Sequence, residues 1–226
     1  IESGITLKHN KIFGHNYGAL NVDNSNLVIE DCYIFDNIKQ SGNGSAIIAQ
    51  NESFINIKRT DVYNNFLSSG NGGGVSIQGS SIGQISDSKI HDNTASNWGG
   101  GIYVRNESSL HISNSEIFGN SSIYGGGGNG GGIAVNIESE IILNNVDIYA
   151  HDAIMGGGIF VTSSSIDYQR GMILNNTGES YGGGVGINYG NDISFKNVII
   201  DSNSLTGSSN KYGGGFYINN ANSIIF

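Results

Sequence analysis

The chain has no proline, one cysteine, one tryptophan and two methionines among its 226 residues. It is also poor in charge: 13% of its residues are Asp, Glu, Lys or Arg, ten basic against nineteen acidic. Each shortage excludes something. A proline inside a parallel sheet removes a ladder hydrogen bond, so its absence suits a chain that is nearly all central strand. Cys32 alone cannot close an internal disulfide, so cysteine usage does not fix a redox compartment. Its place in a column of small residues reads as a buried, inert thiol. A formal net charge of −9 argues against nucleic acid as a partner, because phosphate binding needs clustered Lys and Arg. No stretch reads as a signal peptide, a transit peptide or a membrane span, and no membrane contact is expected of this segment. No window sustains a 3.6-residue apolar period, so no helix is demanded.

Glycine, by contrast, is abundant, with 36 residues, and it is periodic. Gly72-Gly73-Gly74-Val75-Ser76-Ile77 returns as Gly99-Gly100-Gly101-Ile102-Tyr103-Val104, and again at Gly130, Gly156, Gly182 and Gly213. Weaker copies sit at Gly18-Ala19-Leu20 and Ser45-Ala46-Ile47. Counted at the small residue before the first apolar one, the steps are 27, 28, 27, 31, 26, 26 and 31 residues. A period in this range denotes a solenoid.

A second series shows what each repeat contains. Take Ile12, Ile34, Val62, Ile90, Ile117, Ile148, Ile173 and Ile200 as landmarks. Five and seven residues before them stand two apolar columns, such as Ile55 and Ile57 or Leu110 and Ile112, broken only at Gly83. This alternation marks strands with one buried face. Small residues such as Cys32, Thr60 and Ser88 lie two before the landmark. An Asn or Asp three or four after it closes the segment: Asn16, Asn37, Asn65, Asn93, Asn120, Asp152, Asn176 and Asn203. Such residues tolerate the left-handed bends that corners need. The expectation is an all-β, right-handed parallel β-helix of about eight coils of ~27 residues, three strands each. It forms a single domain over residues 1–226. The chain starts and stops inside a coil, which reads as an uncapped fragment of a longer protein.

No catalytic residue, cofactor site or metal site is assigned. His9, His15, His91, His111 and His151 are placed in different columns, without the spacing of a metal motif. The glycine runs lack the Gly-Lys-Ser/Thr of a phosphate loop. Asp31, Asp36, Asp87 and Asp92 occupy repeated turn positions and read as turn formers rather than as catalytic acids. Glu116 and Asp147 put like charges in one column, and two carboxylates are too few for Ca²⁺. The stacked series Lys8, Glu30, Lys58 and Asp61, Lys89, Glu116 alternate in sign and read as surface ladders. Five sequons make Asn43, Asn51, Asn106, Asn120 and Asn175 candidate glycosylation sites if the source is a eukaryotic secretory pathway.

Directly after the landmarks come Phe13, Phe35, Tyr63, His91, Phe118, Tyr149 and Leu174. Alternation places them outside, where an aromatic stripe would contact a partner or a glycan. The other reading, supported by the column's near-constant identity, bends the chain there and stacks the rings inside.

The paired Gly-Gly-Gly-Ile and Ile-Phe-Gly-x-Asn segments resemble the GGA[ILV] and FxxN repeats of the chlamydial polymorphic outer-membrane proteins. Phe13-Gly14-His15-Asn16 fits FxxN; Phe35-Asp36-Asn37 and Phe118-Gly119-Asn120 are one residue shorter, and Gly stands where that family has Ala. The resemblance implies an adhesin-like, extracellular or cell-surface rod. Its partners would be proteins or surface glycans, other copies of itself or neighbouring domains of the same chain. The rod carries no transferable catalytic residues. A carbohydrate-active β-helix enzyme is the alternative, but the longest inter-repeat segments, residues 121–129 and 204–210, are nearly uncharged. They are the candidate contact loops.

Overall fold

A computed structural model describes residues 4–122, 127–208 and 211–226, and every regular element among them is a β-strand. The strands stack in parallel from coil to coil, and successive coils pair like positions. Val75 lies beside Ile102, Ile102 beside Ile133, Ile133 beside Ile159 and Ile159 beside Val185. The glycine face holds eight such strands, from Leu20–Asp23 to Phe216–Asn219. Eight strands bound seven steps, so the solenoid makes about seven full turns rather than eight.

The long face carries the two apolar columns and the landmarks. In the early coils these are separate strands, such as Phe54–Lys58 and Asp61–Tyr63; later they run on as Ser109–Phe118 and Glu140–Tyr149. The bend persists either way. His9, Asp31, Arg59, Asp87, Asn114, Asn145, Arg170 and Asn197, each three before a landmark, all have φ between 47° and 62°. A fourth, two-residue strand after the Asn corner, such as Phe66–Leu67 or Thr94–Ala95, was not anticipated.

The core is the expected one. Val75, Ile77, Ile102, Val104, Ile133, Val135, Ile159, Val161, Val185 and Ile187 are fully buried, as are Ile55, Ile57, Leu110 and Ile112. The gap at Gly83 is filled from the neighbouring coil: a Cβ there would lie 2.7 Å from Leu110 Cδ1.

Three buried polar ladders line the corners, because every inward backbone N–H needs a partner. In the first, Asn65 Oδ1 accepts from the Asn37 backbone N–H at 3.1 Å and from Asn37 Nδ2 at 2.9 Å, while Asn65 Nδ2 donates to Asn93 Oδ1 at 2.9 Å. The same pattern links Asn93 to Asn120 and Asn176 to Asn203. Two positions differ from the expectation. His151, not Asp152, carries the ladder, and His15, not Asn16, donates its backbone N–H to Asn37 Oδ1 at 3.2 Å. His15 and His151 therefore share a column. The reason is spacing: both stand three after the landmark, His151 with its ring buried in the ladder and His15, exposed in the first coil, donating only its backbone N–H.

The second ladder is serine. Ser53, Ser81, Ser108, Ser139 and Ser164 each accept the backbone N–H of the equivalent residue one coil earlier, at 3.1–3.2 Å. The third uses Cys32, Thr60, Ser88 and Ser115. Cys32 N–H donates to Thr60 Oγ1 at 3.2 Å, and Ser88 N–H to Ser115 Oγ at 3.2 Å. The Cys32 thiol is buried and donates to Glu30 O at 3.1 Å, so it serves as a hydroxyl analogue. This ladder stops at Val146. There the buried Tyr168 hydroxyl reaches across from the next coil to the Val146 carbonyl.

The triple glycine follows from coil contact. At Gly99 φ is +64° and a Cβ would lie 2.2 Å from Ile102 O; at Gly100 it would lie 2.4 Å from Ser121 O; at Gly101, 2.8 Å from Gly132 O and 2.9 Å from the Asn120 amide. No side chain fits any of the three.

Candidate functional surface

Both flanks of the solenoid carry ring columns, and they differ in what covers them. On the glycine face the outward residues are Ile48, Ser76, Tyr103, Ala134, Phe160, Gly186 and Tyr217, paired in register coil by coil. Alternation alone would leave them in water. Instead Ser76, Tyr103, Ala134 and Phe160 are buried. Large and small side chains alternate, so each ring lies over a small neighbour: a Cβ on Gly186 would sit 3.1 Å from Phe160 Cδ2. The glycine corners fold back over this column. Trp98 meets Tyr103 edge-on at 6.3 Å and Phe160 at 5.5 Å, and Tyr181 meets Tyr217 at 4.7 Å. Small size is what Ser76 supplies, since its buried hydroxyl has no partner.

On the long face the column after the landmark is open. Phe13, Phe35, Tyr63, His91, Phe118 and Tyr149 form a continuous stack outside the core, with centroids 4.6–5.0 Å apart and planes within 8°. The inward reading is thereby corrected: the chain bends before the landmark as well as after it, so the landmark alone points in. The rings stack nearly parallel at the spacing that coil pairing sets. Faces inside the stack are covered by the next ring, Phe13 at its end is 54% exposed, and the edges form the ridge.

Beside the rings, one residue before the first six landmarks, run Lys11, Tyr33, Asp61, Lys89, Glu116 and Asp147 in register, followed by Met172 and Ile199. Lys89 pairs with Glu116 at 3.2 Å, and the Tyr149 hydroxyl donates to Glu116 Oε2 at 2.9 Å. The hydroxyl, aided by Lys89, holds the Glu116 carboxyl below its usual range. Burial, with Glu116 beside it, pushes Tyr149 up to about 12 and raises Asp147. Asp61 and Asp147 make no ion pair among the described residues. In the first coils, Lys8 binds Glu30 at 2.6 Å, but the second cation on Glu30 is Arg59 at 3.8 Å rather than Lys58.

Arg59 grips Asp31 through Nε at 2.7 Å and a second nitrogen at 3.0 Å. That bond lowers the Asp31 pKa and raises that of Arg59. The pair borders a groove of about 380 Å³ lined also by His9, Lys11, Cys32, Tyr33 and Asp61. The turn reading of Asp31, Asp36, Asp87 and Asp92 holds, with φ of 51–55° at all four. Among the described residues no three His, Cys, Asp or Glu side chains converge as metal ligands.

The sequons separate by environment. Asn51 and Asn175 are exposed at corners, and Asn43 and Asn106 are half-buried. Asn120 is buried and spends its amide on Asn93 and on Ile90 O, so the folded ladder leaves no room for a glycan there. Of the two contact loops, residues 123–126 and 209–210 lie outside the described residues. Ser121 and Asn129 are bridged to neighbouring coils.

Parallel stacking, glycine corners and buried amide ladders define a right-handed parallel β-helix. The family described as the right handed beta helix region matches residues 36–165, more than half of the chain, and the chain belongs to it. No curated protein and no solved structure matches it.

Proposed function

We propose that the chain is a non-catalytic structural or adhesive rod of an extracellular or cell-surface protein, working through its sides. The observation that carries this is the ring ridge, six coils long and unbroken. A monomeric fold gains nothing in its core from these outward rings. Their covered faces offer no platform for a sugar ring, so the ridge suits a protein surface. The repeat's likeness to the chlamydial polymorphic outer-membrane proteins supports an adhesin-like role.

A second reading, a carbohydrate-active enzyme, is favoured by one place: the groove that gathers His9, Lys11, Asp31, Arg59 and Asp61. Such chemistry needs a free base beside a charge stabiliser. Here Arg59 and Asp31 neutralise each other, which weakens that reading. Incubation with a panel of acidic and neutral polysaccharides distinguishes the two. The rod releases no new reducing ends or unsaturated products; release that is lost in Asp61→Asn establishes the enzyme.

A further inference from the structure

The long face is complementary to itself in one register. Over the first six coils its two outward columns are Lys11, Tyr33, Asp61, Lys89, Glu116, Asp147 and Phe13, Phe35, Tyr63, His91, Phe118, Tyr149; they continue as Met172, Ile199 and Leu174, Asp201, which extend past the partner's first coil in the pairing below. A two-fold axis lying across this face, between the coils of Asp61 and Lys89, runs a second copy antiparallel and sets each column against itself. Lys11 then meets Asp147 at both ends, Asp61 meets Lys89 twice at the centre, and Tyr33 presents its hydroxyl to Glu116. In the ring column Phe13 faces Tyr149, Phe35 faces Phe118, and Tyr63 faces His91. No like charges meet.

Neighbouring registers fail this test. Centring the axis on Asp61 sets it against its own copy. Moving it toward Glu116 sets Asp61 against Asp147, and moving it toward Tyr33 sets Lys11 against Lys89. A parallel pairing lays the charged column on the rings. Like charges brought together in an interface oppose it, and this is how surfaces select a register. Among the described residues Lys11, Asp61 and Asp147 of this face make no ion pair, and the two-fold would supply one to each. Phe13 and Tyr33, at 54% and 45% exposure, are apolar surface it would cover.

We propose that two copies of this chain associate antiparallel through the long face, with Lys11 on Asp147 and Asp61 on Lys89. An isologous contact of this kind closes on itself. The strip is two columns wide and roughly 25 Å long, from five steps of about 4.8 Å. That is small for a specific interface, so association is weak and weakens further with salt.

Sedimentation velocity of the full chain over a concentration series up to about 1 mM at low salt tests it. The expected result is a monomer–dimer equilibrium. Lys11→Asp or Asp147→Lys alone should weaken it at least about tenfold, and the double variant Lys11→Asp/Asp147→Lys should restore it, because the pair is exchanged. A monomer throughout, a dimer indifferent to either single change, or a double variant no better than the singles would each overturn the pairing. The inference rests on the reading that the rod works through its sides. The two can fail separately: a monomer that releases no sugar ends removes only the pairing, and a dimer that cleaves polysaccharide removes only that reading.

Discussion

Acid should weaken this solenoid through one residue, His151. Its imidazole is fully buried in the asparagine ladder. Nδ1 lies 3.0 Å from the Asn120 backbone N–H, and Nε2 lies 2.9 Å from Ile117 O. Those partners assign the tautomer: Nε2 carries the proton and Nδ1 accepts. The ring thus reproduces what the neighbouring ladder amides do, accepting one backbone N–H and donating to the carbonyl of a landmark. Burial opposes the charged form and pushes the pKa from 6.5 to about 4, although the carbonyls of Ile117 and Asn120 pull the other way. An unfolded chain takes up the proton near 6.5, and the folded one only near 4. Between these values the unfolded state binds more protons, so stability is fully present above about pH 6.5 and is lost as pH falls toward 4. At ~1.4 kcal/mol per tenfold in proton affinity, the loss is about 2 kcal/mol at pH 5 and about 3 kcal/mol at pH 4. His151→Asn supplies the ladder's own side chain, which does not titrate. Urea unfolding of parent and variant, followed by circular dichroism at about pH 7 and about pH 5, isolates the effect, because carboxylate contributions cancel in the difference. The variant should lie within about 1 kcal/mol of the parent at neutral pH and gain about 2 kcal/mol over it at pH 5. If both lose stability equally, His151 is not the sensor and the linkage argument fails.

Two further outcomes test the packing. Ile112→Asp should abolish folding around its coil, at a cost above about 4 kcal/mol, since it buries an unpaired charge; His111→Asp, one position away and exposed, should change the melt little. Equal melts for the two would refute the strand register. Gly186→Leu should destabilise by about 1–3 kcal/mol by overpacking against Phe160, and Phe160→Ala should recover part of that loss in the double variant; additive costs would disprove the large–small interlock.

The turn residues, the apolar columns and most of the asparagine ladder were legible without coordinates. The serine ladder is equally legible: Ser53, Ser81, Ser108, Ser139 and Ser164 each stand two residues before the first apolar column. His151 was harder to find. An imidazole in an amide column looks like a break in the pattern, and Asp152 beside it matches the composition of the corner better. Tyr168, in a column otherwise of isoleucine, leucine and Phe195, likewise gives no hint that its hydroxyl ends the third ladder.

A repeat of nearly constant length stacks like on like, so period and alternation by themselves determine which residues face the core and which form the corners. That is a one-dimensional property, and a single coil contains all of it. What covers the outside is a different matter. Ser76, Tyr103 and Phe160 are buried because Trp98 and the glycine corners return over them, whereas the Phe13-to-Tyr149 column lies outside the core, half-buried by its own stacking and exposed at Phe13. Both columns carry aromatic rings and point outward by alternation. Only the path of the corner through space distinguishes an inner packing layer from a free ridge, and that path depends on contacts between coils that no single repeat encodes.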